Sequence, residues 1–375
     1  MSAEMKAQDH LFMQRALRLA QKGLYGTDPN PRVGCVVVKD GNIVGEGWHR
    51  KAGEPHAEVL ALRQAGAAAE NATAYVTLEP CSHTGKTPPC ADALIKAGVS
   101  RVVVAMQDPN PRVAGQGLKT LQANGIKVEC GLMETQARTL NPGFIKRMET
   151  GRPYVRVKMA MSLDGRTAMA SGESQWITGE AARQDVQRLR ARSSVVLTGI
   201  GTVLLDDPSM NVRLSAKQLG VAEIRQPLRV ILDSAARFPV HAKTAKVDGD
   251  VLVMTTTGAG AEKNAIESSH CKFVQVAEKD GHVDLSAALN YLAEIEINEV
   301  HVEAGALLSG AFLQQQLVDE IVVYMAPHIM GDQARGLFAL PGLSKMQDRI
   351  SLDIQDVRML AKDLRIIATP VYHKD

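Results

Sequence analysis

The alternation of apolar and polar positions divides this chain into short helical and extended segments. The first reads as a helix capped by Asp9, running to about Lys22 and stopped by Gly23. Val33 to Val38 and Ile43 to Trp48 read as two strands around the turn Lys39-Asp40-Gly41-Asn42, a hairpin pattern. A helix then starts at His56, with Ala57, Leu60, Ala61 and Leu62 as its apolar positions. After it come a strand over Ala74 to Leu78, a helix from Cys90 to Ala97, a strand over Arg101 to Met106, a helix near Gly117 to Ala123 and a strand over Lys127 to Cys130. Such mixing predicts a layered α/β domain.

The stretch from Asn141-Pro142-Gly143 to Gly151-Arg152-Pro153 is rich in breakers and reads as a domain boundary. Beyond it the pattern restarts. Strands are expected over Tyr154 to Met161, Ser194 to Leu197, Leu228 to Leu232, Asp250 to Met254, Glu299 to Val302, Glu320 to Met325 and Leu364 to Val371. Helices are expected over Glu180 to Arg192, near Leu285 to Ile295 and over Ala306 to Gln315. The segment Leu214 to Arg225 reads as a surface loop or short helix. The expectation is two α/β domains, 1–150 and 151–375, in line with the 375-residue length.

Composition narrows the function classes. Aromatic residues make up only 4%, so the cores should be aliphatic, and the formal net charge is +2 with no long run of Lys or Arg. No basic stripe advertises a nucleic-acid partner. No apolar run reaches membrane-spanning length, and Met1 to His10 lack the apolar core of a secretion signal. The five cysteines, Cys35, Cys81, Cys90, Cys130 and Cys271, show no framework spacing. A reduced, cytoplasmic protein is expected.

The chemistry concentrates in His56-Ala57-Glu58, then Pro80-Cys81, then Cys90. One imidazole and two thiols can hold Zn²⁺ and leave its fourth position to water. Glu58, two residues past the imidazole, is placed to carry protons. This is the H-x-E and P-C pattern of zinc deaminases, except that eight residues, Ser82 to Pro89, separate the cysteines. A structural zinc site would ordinarily show a fourth protein ligand, and His83 is read as loop because it would block water. The hexapeptide Asp28-Pro-Asn-Pro-Arg-Val33 recurs at Asp108 to Val113. It reads either as two proline-rigid turns or as two loops presenting Asn30, Asp108 and Asn110 to a ligand. In the second half, Gly199-Ile-Gly201-Thr202 is a weak glycine signal. Val300-His-Val-Glu303-Ala-Gly305-Ala reads as strand, small-residue turn and helix, whose free N–H groups suit a pyrophosphate.

These motifs resemble those of the bifunctional riboflavin-biosynthesis deaminase/reductase family. The residues are Asn30-Pro-Arg-Val-Gly34, His56-Ala-Glu58, Glu79-Pro-Cys81 through Cys90, Lys158-Met-Ala-Met-Ser-Leu-Asp-Gly-Arg166, Trp176-Ile-Thr178, Gly199 to Asp207 and Val302-Glu303-Ala-Gly305. The resemblance spans nearly the whole chain, and the insert between the cysteines supports it. It implies a cytidine-deaminase-like α/β/α sandwich followed by a dihydrofolate-reductase-like α/β domain, with Zn²⁺ and NADPH as cofactors. It implies deamination of 2,5-diamino-6-ribosylamino-4(3H)-pyrimidinone 5′-phosphate, then reduction of the ribosyl group to ribityl.

By the same resemblance Asn30, His49, Lys86, Asp108 and Asn110 surround the deaminase substrate. Ala160, Trp176, Thr202, Asp206, Ser234 and the turn Gly305, Ala306, Leu307, Leu308, Ser309, Gly310 and Ala311 contact NADPH. Ser174, Arg190, Met210, Arg213 and Glu303 contact the reductase substrate, with Lys158 and Asp207 as further polar contributors. Family members usually have a second glycine where this chain has Ala304. A homo-oligomer, dimer or tetramer, is implied through the second domain. Two rival readings make other predictions: a deaminase with a silent second domain would release ammonia without oxidising NADPH, and a nucleotide-binding regulator with structural zinc would not need Glu58.

Overall fold

The computed structural model describes residues 3–82, 89–111, 113–239, 241–256 and 270–372. The chain divides into two compact units, Met1–Gly151 and Arg152–Asp375.

The first unit runs α1 (Ala3–Gln21), β1 (Gly34–Lys39), β2 (Asn42–Trp48), α2 (Ala57–Ala65), β3 (Thr73–Val76), α3 (Cys90–Lys96), β4 (Arg101–Val104), α4 (Gln116–Ala123), β5 (Lys127–Cys130), α5 (Glu134–Leu140) and α6 (Pro142–Thr150). Its sheet has the order β2-β1-β3-β4-β5. The first two pairings are antiparallel and the last two parallel. The hairpin turns through Asp40 (φ 50°) and Gly41 (φ 76°), the left-handed pair that a two-residue hairpin loop requires. Apolar residues cover both sheet faces: Cys35, Val37, Ala74 and Val102 join α2 and α3 on one, and Val36, Tyr75 and Val103 meet Met13, Ala16 and Leu17 of α1 on the other.

One expectation needs correction. Asp9 does not cap α1, which begins earlier. Its buried carboxylate instead accepts from Tyr75 Oη (2.6 Å) and from both terminal nitrogens of Arg101 (2.9 and 2.7 Å). The two units divide within the breaker-rich stretch 141–153, between Gly151 and Arg152, and Asn141-Pro142-Gly143 at its head starts α6, with proline in the first turn, where its missing N–H is not needed. Asn141 itself is buried, and its side chain bonds both main-chain groups of Arg32 (2.8 and 2.9 Å).

The second unit contains β6 (Tyr154–Ser162), β7 (Arg166–Ala168), α7 (Glu180–Arg192), β8 (Val195–Gly199), α8 (Ile200–Asp206), α9 (Ala216–Leu219), β9 (Leu228–Leu232), α10 (Lys243–Lys246), β10 (Val251–Thr256), β11 (Cys271–Val276) and β12 (Glu278–Lys279). It continues with β13 (His282–Val283), α11 (Leu285–Glu294), β14 (Glu299–Glu303), α12 (Ala306–Gln314), β15 (Glu320–Ala326), β16 (Arg335–Gly336), β17 (Ser351–Leu360) and β18 (Asp363–Val371). Nine of these strands form one sheet, β11-β10-β9-β8-β14-β6-β15-β18-β17, parallel except for the terminal β15-β18-β17 meander. Strands β11 and β17, at its two edges, were not anticipated. Leu214 to Arg225 contains the short helix α9, which a Ser215/Gln218 capping box starts and Gly220 ends.

One sheet face packs Val157, Leu197, Val302 and Ile321 against α11 and α12. The other, under α7, carries charge. Arg156 is buried between Glu299 and Glu320, and Tyr324 donates to Asp185 at 2.7 Å. Among the described residues no helix is long and apolar enough to cross a membrane.

Candidate functional sites

The three predicted metal donors converge. His56 precedes the first residue of α2 in extended conformation, Cys90 opens α3, and Cys81 follows β3. His56 Nδ1 lies 3.2 Å from Cys90 Sγ and 3.7 Å from Cys81 Sγ, and all three donor atoms fall within 4.8 Å of one another. Tetrahedral zinc with bonds of about 2.0–2.3 Å separates its ligand atoms by about 3.3–3.8 Å, so this cluster fits the ion. The thiols behave as one acid. The Cys90 hydrogen bond lowers Cys81 to about 4, while the same contact raises Cys90. A cation would complete the deprotonation.

Glu58 lies in the first turn of α2 and is 3% exposed. Burial pushes its carboxyl up to about 7, helped by the neighbouring Cys81. That value suits a group that must both take and give a proton near neutrality. His49, also buried, stacks edge-on to His56 with ring centroids 5.2 Å apart, and its Nε2 is 3.1 Å from Asn30 Nδ2. Burial, then the His56 charge, lowers its pKa and favours the neutral ring. Asp108 Oδ1 accepts from the Asn110 N–H at 2.8 Å. Lys86 and His83 lie outside the described residues.

In the second unit the site residues collect at the carboxyl ends of parallel strands, where open α/β sheets hold ligands. Ala160 is in β6, Thr202 and Asp206 in α8 after β8, Ser234 after β9, and Glu303 ends β14. Arg190 of α7 grips Glu303 bidentately (2.5 and 2.8 Å) and donates to Asn211 O at 3.0 Å. Burial alone would raise the Glu303 carboxyl, but the Arg190 charge and hydrogen bonds hold it well below the usual range. His301 Nε2 sits 3.3 Å from the same carboxylate. Lys158 pairs in register with Glu303, and burial lowers its ammonium pKa. Arg190 already binds Glu303, whereas the Arg213 guanidinium holds only Ser209 Oγ among its described hydrogen bonds.

Other positions differ in what they can offer. Trp176 is 70% exposed beneath the Arg183 guanidinium, 5.0 Å from the ring centroid. Ser174 is half-buried. Met210 packs its side chain among Val196, Ile231 and Phe238. Ser234 Oγ accepts from the Val283 N–H (3.0 Å), which fixes the turn after β9. Asp207 Oδ1 accepts from the Lys243 N–H (2.7 Å).

Gly305 precedes α12 without any side-chain cap, and Leu307 is exposed, so this end is open to a dinucleotide. Ser309 and Gly310 face inward. A Cβ on Gly310 would stand 2.1 Å from Ala339 O. The buried Thr198 Oγ1 and Asn211 Oδ1 have no hydrogen-bond partner among the described residues; Thr198 follows Leu197, which pairs with Val302, and the Asn211 main chain accepts from Arg190.

A three-donor metal cluster beside a buried carboxyl, joined to a parallel sheet with an uncapped helix at its switch point, defines a two-domain deaminase/reductase. Residues 6–106 match the cytidine and deoxycytidylate deaminase zinc-binding region, and residues 153–366 match the RibD C-terminal domain. The chain is 52% identical to the riboflavin biosynthesis protein RibD of Escherichia coli (strain K12), over 95% of this chain and 98% of that one. It superposes on Acinetobacter baumannii RibD with TM-score 0.89 at 48% identity, covering 98% of this chain and 100% of the other. A Thermotoga maritima diaminohydroxyphosphoribosylaminopyrimidine deaminase/5-amino-6-(5-phosphoribosylamino)uracil reductase matches with TM-score 0.86 at 34% identity, again over 98% and 100%.

The chain belongs to the RibD family. It is a bifunctional deaminase and reductase of riboflavin biosynthesis, with a cytidine-deaminase-like unit, a dihydrofolate-reductase-like unit, and zinc and NADPH as cofactors. Glu79, Asn141, Thr198 and His301 were not singled out from the sequence. Glu79 stands inside the Glu79-Pro-Cys81 motif, His301 inside Val300 to Ala306 and Asn141 at the head of the boundary stretch, whereas Thr198 lies in no motif.

Proposed function

We propose that residues 1–150 deaminate the diaminopyrimidinone ribosyl phosphate and that residues 151–375 reduce its ribosyl group. The observation that carries the first assignment is the buried Glu58 carboxyl in the first turn of α2, two residues beyond a donor of the clustered His56, Cys81 and Cys90. Zinc, when bound there, supplies the Lewis acidity that makes water nucleophilic at neutral pH. Glu58 takes the proton of the attacking water, delivers it to the ring nitrogen, and passes a proton to the departing ammonia. Asn30, His49, Asp108 and Asn110 orient the substrate, with Lys86 on its phosphate.

In the reductase NADPH supplies the hydride. The amino end of α12 receives its pyrophosphate, with Ala160, Trp176, Thr202, Asp206 and Ser234 around the remainder. Arg213 holds the substrate phosphate with Ser174, while Glu303, fixed by Arg190, meets the sugar beside Lys158. The deciding experiment is a coupled assay on zinc-loaded protein that follows ammonia release and NADPH oxidation. Ammonia without NADPH, then oxidation once it is added, supports both roles and their order; NADPH oxidation that precedes ammonia release defeats the order. Cys81→Ser is expected to bring zinc content to a small fraction of wild type and deamination with it, read by metal analysis, because a serine hydroxyl does not ionise to replace the thiolate.

The working protein is a cytoplasmic homo-oligomer in this reading. Edge strand β17 exposes Leu352 (49%), Ile354 (61%), Val357 (53%) and Met359 (64%). Of their cross-strand partners on that face, Leu364 and Ile366 are half-buried and Ala368 and Pro370 are buried, so the exposed apolar strip is β17's own. An apolar edge of this length is a pairing surface, and a second copy offers the same strip in return. Ile354→Lys is expected to shift the particle toward monomer in sedimentation; an unchanged mass would remove β17 from the interface.

A further inference from the structure

Glu79 immediately precedes Pro80-Cys81, and the assignments above give it no task. It is 6% exposed, and both carboxylate oxygens turn onto a single loop. Oε2 accepts from the N–H groups of Asp108 (3.1 Å) and Gly115 (2.9 Å). Oε1 accepts from those of Gly117 (2.8 Å) and Leu118 (3.4 Å). Helix α4 has no cap of its own, since Gly115 (φ 77°) stands at its N-cap position. A carboxylate from another element therefore satisfies its first amides, and its charge sits at the favourable end of the helix.

The contact is close as well as polar. A Cβ on Gly117 would lie 2.0 Å from Pro80 O. The N–H of Glu79 also donates to Met106 O at 3.0 Å. One side chain, two residues from a metal donor, thus grips the main chain that carries Asp108 and, through the Asp108 carboxylate, Asn110. The repeated hexapeptide makes sense in this light. Each copy is a proline turn pinned by a buried polar side chain from elsewhere, Asn141 on Arg32 for the first and Glu79 on Asp108 for the second.

We propose that Glu79 is a positioning residue of the deaminase, clamping the backbone of Asp108 and of Gly115 to Leu118 to the Pro80-Cys81 strand end and so setting the distance between the metal donors and the groups that hold the substrate. This rests on the assignment of Asp108 and Asn110 to the substrate. A carboxylate can accept from four N–H groups; the isosteric amide of Glu79→Gln has one acceptor oxygen and turns an NH₂ toward two of them. The loop should then drift while the metal donors stay in place.

The test measures ammonia release by the full-length, zinc-loaded Glu79→Gln enzyme over a range of the diaminopyrimidinone ribosyl phosphate. KM is expected to rise about 10–100-fold, the loss that a displacement of the order of 1 Å brings, with a smaller fall in kcat. Zinc content and NADPH oxidation should match wild type, and amide exchange should accelerate across 108–118. A wild-type KM, or loss of zinc together with kcat at unchanged KM, overturns the clamp. If Glu79→Gln does not fold, Glu79→Asp in the same assay decides: it keeps the charge but shortens the reach, and an unchanged KM again overturns the proposal. Asp108→Ala and Asn110→Ala run alongside. If neither raises KM, the substrate assignment falls and the clamp with it; if they raise KM and the Glu79 variants do not, the clamp alone falls.

Discussion

Glu58→Gln should lower deaminase kcat by about 10²–10⁴-fold, the usual worth of a positioned general acid–base. The amide keeps the shape of a side chain that is only 3% exposed, so the fold and the three metal donors should be retained. Zinc content is therefore expected to stay at the wild-type level. NADPH oxidation with 5-amino-6-(5-phosphoribosylamino)uracil supplied directly should be unaffected, because Glu58 and the reductase residues belong to separate compact units. Metal analysis and the two assays on one preparation check all three statements. Normal ammonia turnover in this variant would refute the proton-carrying role and revive the structural-zinc reading. A parallel loss of zinc would instead show that Glu58 supports the donors.

Arg190→Leu should have the largest effect in the second unit. The Arg190 and Glu303 side chains are only 10% and 14% exposed, and removing the guanidinium takes away the bidentate partner of the carboxylate, leaving the His301 ring at 3.3 Å and the charges of Lys158 and Arg213 nearby. Breaking a buried pair in this way costs roughly 2–4 kcal/mol here, toward the low side of the general range because some water still reaches both groups. That corresponds to a fall of roughly 5–15 °C in the melting temperature of a domain of this size. Reductase activity should be lost with the orientation of Glu303.

The pH dependence gives the sign. In the wild type the Glu303 carboxyl is held well below 4.5, so its contribution is present above the unfolded value of 4.5 and is lost as pH falls below it. In the variant, burial is no longer opposed by Arg190 and raises that carboxyl. Protonation then removes a buried charge that has lost its hydrogen-bonded partner, and the difference in melting temperature should narrow between pH 7 and pH 5. A gap that stays constant across this range would mean that lost packing, not charge, is responsible.

Much of this molecule follows from local pattern. Hydrophobic period sets which face of a segment can be buried, so most core elements, the Asp40-Gly41 hairpin and the restart after residue 150 were legible as sequence. The zinc donors were legible too, because imidazole, thiols and a carboxylate in that order have few other uses. Edge strands were harder. Strand β17 alternates apolar Leu352, Ile354, Val357 and Met359 with polar residues, but the register shift between Ile354 and Asp356 breaks the period into two pieces, each too short to mark a strand.

Tertiary structure alone decided which charges meet. Arg190 and Glu303 are 113 residues apart, Asp9 and Arg101 are 92 apart, and Glu79 reaches amides up to 39 residues away. A buried ion needs partners, but nothing in its sequence neighbourhood names them, since the partner is whatever the packed sheet and helices bring alongside. The sequence by itself determined the chemistry this protein carries and the elements that present it. The packing of distant elements decided that Asp9 ties a helix to the sheet, that Arg190 is committed to Glu303, and that Glu79 holds a loop, because those roles exist only once water has been excluded around them.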